Sequence, residues 1–189
     1  MYIGTWTSSD PSSRYGVNLY DRSAAGKLTR RGGAAGCVTS DGSGGACSTS
    51  ALLSNMWDMA LDKDGRNLYV PTQDGNLLVF DINQTTGALT RKAGAAGCFG
   101  PGAGCTALRG SSSMFSLAID PKTANSLYVR VSEGLLSFTR NTSSGTLNQK
   151  AGVDGCVTET LVATCTDGAG LANQGFQTAV SPDGNSVYT

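Results

Sequence analysis

The sequence predicts an all-β fold made of three similar repeats. Glycine supplies 26 of the 189 residues, which is about twice its usual share, whereas only 15% of the residues are charged. No segment shows a sustained apolar period of 3.6 residues, so we expect almost no helix. A tyrosine in a short apolar strand recurs at spacings of 67, 59 and 60 residues, at Tyr2, Tyr69, Tyr128 and Tyr188. A regular recurrence of this kind is typical of repeat architectures.

The repeats share their landmarks in a fixed order. Each tyrosine strand is followed by a strand with an aromatic residue, a Gly-x-Leu triplet, a Gly-Cys pair and a second cysteine. The triplets begin at Gly26, Gly87 and Gly145. These landmarks define one domain, 1–189, with repeats at about 2–68, 69–127 and 128–187.

Each repeat is predicted to contain four short antiparallel strands. In the second repeat these are the tyrosine strand at 67–71, the aromatic strand at 76–81, a third strand at 88–92 and a fourth at 114–119. The segments between them are rich in Asp, Asn, Gly and Pro, which supply the backbone angles of tight turns. A four-stranded unit cannot bury both of its faces alone, so the repeats must stack on one another.

The turn sequences resemble those of a known family of repeats. Ser181-Pro-Asp-Gly-Asn-Ser-Val-Tyr188 resembles the strand-turn-strand signature of YVTN-type β-propeller repeats. Residues 1–29 resemble the first blade of the lactonase-type propellers, the superfamily that includes the 6-phosphogluconolactonases. The resemblance covers nearly the whole chain and implies three β-propeller blades. It indicates blade architecture rather than activity, because the matching residues occupy turn and core positions.

Three blades do not close a ring, since propellers contain about four to eight. We therefore expect the chain to be part of a larger ring, completed by the remaining blades of a longer chain or by self-association. A β-trefoil also contains three four-stranded repeats and is the alternative fold. The turn signature favours the propeller, and repeats of this length are long for a trefoil.

The six cysteines occur as one pair per repeat. Repeat symmetry favours three bonds within the repeats, Cys37 with Cys47, Cys98 with Cys105, and Cys156 with Cys165. The sequence contains no histidine and no Cys-x-x-Cys motif, so zinc ligation is not expected, and we expect no metal and no cofactor. Stable disulfides imply an extracellular, cell-surface or periplasmic location. Two Asn-x-Ser/Thr triplets, at Asn83 and Asn141, are interpreted as hairpin residues rather than as glycosylation sites.

Charge and hydropathy exclude two kinds of partner. The 14 basic and 14 acidic residues cancel, so we expect no binding of nucleic acid by bulk electrostatics. The longest apolar runs, such as 77–80, have the length of a strand, so no insertion into a membrane is expected. The absence of histidine also removes Ser-His and Cys-His nucleophile pairs.

Few residues qualify for acid-base chemistry. Glu133 with Arg130 or Arg140 is the acid and base set that the chain offers, although a solvated surface ion pair is the favoured interpretation. Trp6 breaks the repeat pattern at the start of a loop, which makes it the candidate for an exposed aromatic contact. Arg130, Glu133 and Trp6 are therefore the predicted binding residues.

A further group of aromatic residues stands at equivalent positions in the repeats. Trp57, Phe115 and Phe176 each precede an alanine by three residues in or near the fourth strand. Packing between blades is the favoured interpretation, and a platform for stacking carbohydrate is the alternative.

These observations favour a non-catalytic role over an enzymatic one. We expect an extracellular module that binds a protein, a glycan or another copy of itself. The alternative is a part of a lactonase-like hydrolase that acts on a sugar lactone, with catalytic residues in the missing blades. The resemblance implies His, Glu and Arg at such a site, but this sequence has no histidine to match.

Overall fold

The computed structural model describes residues 1–7, 14–160, 162–171 and 176–189, apart from the side chains of 6, 7 and 14. In these ranges the chain forms eighteen strands, grouped in four sheets, and four single-turn 3₁₀ segments. The 3₁₀ segments are Ala34–Gly36, Gly42–Gly45, Gly94–Gly97 and Gly152–Gly155. The predicted all-β fold with almost no helix is confirmed. Within the described ranges, no helix is long and apolar enough to span a bilayer.

The first two sheets share one plan. Sheet 1 contains β1 (Tyr2–Thr7), β2 (Arg14–Arg22), β3 (Leu28–Arg30), β4 (Cys37–Thr39) and β5 (Ser48–Thr49), in the order β1-β2-β4-β5. Sheet 2 contains β6 (Ala60–Leu61), β7 (Asn67–Pro71), β8 (Leu77–Ile82), β9 (Leu89–Arg91) and β10 (Cys98–Phe99), in the order β6-β7-β8-β10. In each sheet the strand after the Gly-x-Leu glycine, β3 or β9, pairs with the far end of β2 or β8.

Sheet 3 has the same strand arrangement, and sheet 4 contains the equivalents of its first two strands. Sheet 3 contains β11 (Met114–Ile119), β12 (Ser126–Val131), β13 (Gly134–Arg140), β14 (Leu147–Gln149), β15 (Cys156–Thr158) and β16 (Thr166–Asp167). Their order is β11-β12-β13-β15-β16, with β14 on the far end of β13. Sheet 4 is the antiparallel pair β17 (Ala179–Val180) and β18 (Val187–Tyr188).

Two features of the strand pairing differ from the sequence prediction. The strands ahead of Tyr69, Tyr128 and Tyr188 pair with the tyrosine strands that follow them, so 114–119 opens a sheet instead of ending one. The short cysteine strands were not predicted. In sheet 2, β9 and β10 divide the edge of β8 between them, because β9 faces Phe80 to Ile82 and β10 faces Leu77 and Leu78.

Sheets 1, 2 and 3 stack face to face, with sheet 2 in the middle. Successive residues of a strand point to opposite faces. Accordingly, Leu78 and Phe80 of β8 belong to a core shared with Val17 of sheet 1. Leu77 and Val79 belong to a second core, shared with sheet 3. The fully apolar strand 77–80 therefore reflects burial on both faces.

The recurrent tyrosines and glycines join successive sheets by one repeated hydrogen bond. The Tyr2 hydroxyl donates to the Gly87 carbonyl at 2.6 Å, and the Tyr69 hydroxyl donates to the Gly145 carbonyl at 2.8 Å. We call this bond the tyrosine latch. Gly145 has a φ of 71°, and a Cβ there would overlap the side chain of Asn67, so the position requires glycine. The latch explains why the two landmarks recur together.

All six cysteines form the three disulfides that repeat symmetry predicts. The bonds join Cys37 to Cys47, Cys98 to Cys105, and Cys156 to Cys165. Each closes a loop beside the outer strands of its own sheet. Disulfides of this number are typical of an oxidising compartment outside the cytoplasm.

The predicted hairpin role of the two Asn-x-Ser/Thr asparagines is confirmed. The Asn83 side chain accepts from the amides of Thr85 and Thr86 at 3.0 and 2.9 Å. The Asn141 side chain does the same with the amides of Ser143 and Ser144. Each asparagine therefore shapes the turn that precedes its Gly-x-Leu triplet.

Candidate functional site

The three equivalent aromatic residues meet at the edge where the first strands of successive sheets lie. Trp57 precedes β6, Phe115 lies in β11, and Phe176 precedes β17. Their ring centroids are 6.0 Å apart for Trp57 and Phe115, 5.4 Å for Trp57 and Phe176, and 4.9 Å for Phe115 and Phe176. We call these three residues the aromatic cluster.

The aromatic cluster is open to solvent. Trp57 is 58% exposed and Phe176 is 50% exposed, while Phe115 is half-buried. The rings do contact one another across successive sheets, as the packing interpretation requires. That interpretation is wrong about burial, however, because Trp57 and Phe176 remain at least half exposed. Exposed aromatic groups of this kind usually mark an interaction site.

Hydrogen bonds beside each ring fix the cluster in place. Asp58, next to Trp57, accepts from the Met59 amide at 2.8 Å and from the Leu117 amide of β11 at 3.0 Å. Ser116, next to Phe115, shares a 3.0 Å hydrogen bond with Thr178 ahead of β17. The segments that carry the three rings are therefore tied to one another by hydrogen bonds.

Two grooves open on either side of Trp57. One has a volume of about 400 Å³ and is lined by Tyr15, Asn55, Met56 and Trp57. The other, of about 370 Å³, lies between residues 2–5 of β1 and residues 56–59. Both grooves are open to solvent and are lined by a mixture of apolar and polar groups.

Arg130 and Glu133 have separate roles. Arg130 is only 1% exposed, and its guanidinium donates to the carbonyls of Val131, Gly134 and Leu171. Burial lowers the pKa of this guanidinium. Glu133 is exposed, and its carboxylate accepts from the Thr160 hydroxyl at 2.7 Å. Arg130 thus holds the chain at Leu171 against sheet 3, and its interpretation as a solvated surface ion is wrong.

Arg140 is also buried, and it belongs to an ion pair that the sequence analysis missed. Its guanidinium lies 2.5 Å from the Asp62 carboxylate and donates to the Tyr69 hydroxyl at 2.7 Å and to the Ala124 carbonyl at 2.8 Å. Burial raises the pKa of Tyr69 to about 12, so its hydroxyl keeps the proton that it donates in the latch to Gly145. The group joins sheets 2 and 3 and is structural.

The structure describes the backbone of Trp6 but not its side chain. Trp6 lies in β1 opposite Tyr15 of β2. Its side chain falls outside the described part of the structure, so its role as an exposed contact stays a prediction. The surface that carries the aromatic cluster is instead built around Trp57, which the sequence analysis assigned to packing.

Comparison with known proteins identifies a shared fold but no protein family. No protein-family model matches the chain, and no curated protein matches it. Among solved structures, a candidate 6-phosphogluconolactonase from Bacteroides uniformis aligns with a TM-score of 0.51 and 14% identity, over 99% of this chain. The periplasmic gluconolactonase of Pseudomonas aeruginosa aligns with a TM-score of 0.52 and 14% identity, over 95% of this chain.

These two likenesses establish a shared fold with lactonase-like proteins. The chain spans 60% of the length of the Bacteroides uniformis protein and 43% of that of the Pseudomonas aeruginosa protein. The lactonase-like fold that the sequence resemblance implied is therefore supported at the level of architecture.

Proposed function

We propose that the chain forms three blades of a lactonase-type β-propeller and that the aromatic cluster binds the substrate, a cyclic ester of a sugar acid. The chain would thus be part of a hydrolase located outside the cytoplasm, in the periplasm, at the cell surface or in the extracellular space. The observation that carries the proposal is the meeting of three aromatic rings, from equivalent positions in successive repeats, at one solvent-open point.

The arrangement of the sheets supports blades over the trefoil. Within the described ranges, the strands form four separate sheets, and sheets 1, 2 and 3 are joined by two apolar cores. A trefoil instead shares a barrel among its repeats. In a propeller, the sheets surround a central channel. The first strands β6, β11 and β17 would line that channel, with the aromatic cluster at its mouth.

The chemistry of the cluster suits a sugar lactone. A sugar ring presents a face of C–H groups that packs against an aromatic ring, and Trp57 offers the largest and most exposed such surface in the cluster. Asn55 and Tyr15 line the adjoining groove and carry groups that can hydrogen-bond to ring hydroxyls. The site therefore combines an apolar platform with polar groups at its rim.

Ester hydrolysis also needs a group that activates water and donors that stabilise the oxyanion. Asp58 lines the groove between residues 2–5 and 56–59, and both of its carboxylate oxygens already accept backbone hydrogen bonds. We assign Asp58 to positioning Trp57. The acid-base groups would come from further repeats, which complete the channel.

The proposal favours a hydrolase over the non-catalytic module that composition alone suggested. The two fold relatives named above are described as lactonases, whereas neither of them is described as a binding module. A scaffold role remains the competing function. The two differ in whether the aromatic cluster recognises a small sugar derivative.

The test is calorimetric titration of the chain with gluconolactam, the amide analogue of gluconolactone, which lacks the hydrolysable ester. We expect saturable binding by the native chain and at least roughly tenfold weaker binding by Trp57→Ala, a loss of about 1.4 kcal/mol. Leu61→Ala is the matched control, because Leu61 is an exposed apolar residue of β6 four positions away. It should bind the lactam like the native chain.

Sorbitol, an open-chain polyol, serves as the ligand control and should give no saturable heat. Equal binding of the lactam by the native chain and Trp57→Ala would overturn the assignment of the site. An absence of lactam binding to the native chain would contradict the substrate class and favour the scaffold role.

A further inference from the structure

A cleft of about 350 Å³ lies where sheet 2 continues into sheet 3. Its lining residues are 73–75, 100–101, 107–108 and 111–113. We call it the serine cleft, after the run Ser111-Ser112-Ser113. Residues 73–75 belong to the turn between β7 and β8, and the other lining residues belong to the connection from β10 to β11. All walls of the serine cleft therefore come from the middle of the chain.

Contacts between its walls give the serine cleft a fixed shape. The Ser111 hydroxyl donates to the Gly75 carbonyl at 3.3 Å. Gly100 has a φ of 133°, and a Cβ there would overlap the Gly75 carbonyl oxygen, so the walls approach to a distance that requires glycine. The disulfide between Cys98 and Cys105 closes the loop that carries Gly100. The cleft is thus formed by the chain itself, as is usual for sites of small ligands.

The serine cleft adjoins the aromatic cluster on two sides. The Gln73 amide donates to the Asn55 carbonyl at 3.0 Å, and the two side chains also hydrogen-bond to each other. Asn55 in turn lines the groove beside Trp57. On the other wall, Ser113 stands two residues before Phe115, which is at most about 7 Å along the chain. A ligand larger than one sugar ring can therefore contact the cluster and the cleft together.

The charge of the serine cleft disfavours an anionic ligand. Asp74 is the one lining residue that carries a charge, and the structure describes all of these residues. Arg109 stands two positions before the serines, but its guanidinium donates to three backbone carbonyls between residues 150 and 164. A phosphoryl group in the cleft would therefore meet a carboxylate without a compensating cation.

The remaining groups suit a neutral sugar. The Asp74 carboxylate can accept from sugar hydroxyls, and serine hydroxyls can both donate and accept. Within the described part of the chain, the backbone amides of 111–113 donate to no protein group, and the Ser112 hydroxyl is buried without a partner. Pro101 and Leu108 add apolar surface. The cleft thus combines unused hydrogen-bonding capacity with apolar surface, as the hydroxyl groups and C–H faces of a sugar require.

We propose that the serine cleft binds a neutral sugar unit attached to the lactone ring, so that the substrate is the lactone of a disaccharide acid. This inference rests on the proposed function, in which the aromatic cluster holds the lactone ring itself. The serine cleft then selects for a glycosyl substituent and against a phosphoryl one.

The test compares calorimetric titrations of the chain with gluconolactam and with cellobionolactam, which carries a further glucose on the same lactam ring. We expect cellobionolactam to bind at least roughly tenfold more tightly. Asp74→Ala should bind the two lactams with similar affinity, because hydrogen bonds to a charged group are the strongest that the cleft offers. Asp64→Ala is the matched control, since Asp64 is an exposed aspartate in the turn between β6 and β7. It should keep the gain.

Two further titrations locate the second sugar and test its charge. The backbone amide resonances of 111–113 should shift when cellobionolactam is added and stay in place when gluconolactam is added. The lactam of 6-phosphogluconate, which carries a phosphoryl group in place of the second sugar, should bind no more tightly than gluconolactam.

Equal affinity of the native chain for gluconolactam and cellobionolactam would overturn this inference and leave the proposed function standing. Tighter binding of cellobionolactam without shifts at 111–113, or with an equal gain in Asp74→Ala and Asp64→Ala, would place the second sugar elsewhere and also overturn it. Tighter binding of the phosphorylated lactam with shifts at 111–113 would contradict a neutral ligand. A failure of both neutral lactams to bind would overturn the proposed function together with this inference.

Discussion

Reduction of the three disulfides is expected to lower the free energy of unfolding by about 7 kcal/mol, at roughly 2–3 kcal/mol for each bond. The bonds close loops with sequence separations of 10, 7 and 9 residues. Small domains are stable by about 5–15 kcal/mol, so this loss is a large fraction of the total. The bonds act mainly by restricting the unfolded chain, and the outer strands beside them, such as β5 and β10, have only two residues each.

Urea unfolding followed by tryptophan fluorescence, with and without reductant, measures this loss. A variant with Cys98→Ser and Cys105→Ser isolates the shortest loop and should lose about 2 kcal/mol. Coinciding unfolding curves for oxidised and reduced chains would show that the outer strands hold without the bonds.

Asp62→Asn is expected to destabilise the chain by about 3–5 kcal/mol, because it leaves the buried guanidinium of Arg140 without a counter-ion. Both side chains of the pair are almost fully buried. The amide oxygen of asparagine can still accept from the Arg66 and Asn67 backbone, as Oδ1 of Asp62 does at 2.7 and 3.2 Å. The substitution therefore removes the charge and keeps the turn.

Two comparisons test that interpretation by equilibrium unfolding. Asp21→Asn breaks the solvent-exposed pair with Arg31 and should change stability far less. Adding Arg140→Met to Asp62→Asn should recover part of the loss, since the unpaired buried charge is then gone. An Asp62→Asn chain as stable as Asp21→Asn would show that the pair does not hold sheets 2 and 3 together.

Much of the fold follows from local patterns in the sequence. The repeat landmarks, the turn residues and the cysteine pairs all act over short stretches of chain, and each was predicted. The pairing of the strand at 114–119 was not predicted, because a strand between two repeats has the same sequence pattern whether it joins the preceding sheet or the following one. The two-residue strands β5 and β10 are too short to show a period of two.

The candidate site was harder to predict, because burial depends on distant partners. Arg140 looked like a surface residue until Asp62, which is 78 positions away, was found beside it. The sequence did contain a signal for this ion pair, since Asp62 and Asp120 stand at equivalent positions of successive repeats. The exposure of Trp57 and Phe176 depends on which distant segments pack against them, which no periodicity reports.

The most direct test of the proposed site is the nuclear Overhauser effect between the aromatic rings in solution, with and without gluconolactam. We predict cross-peaks between the Trp57 indole and the rings of Phe115 and Phe176, and lactam-induced shifts in these same signals. Cross-peaks without lactam-induced shifts would agree with the stacking of the sheets but contradict the binding of a sugar lactone at the aromatic cluster. An absence of cross-peaks between the rings would contradict the meeting of the three repeats at one point.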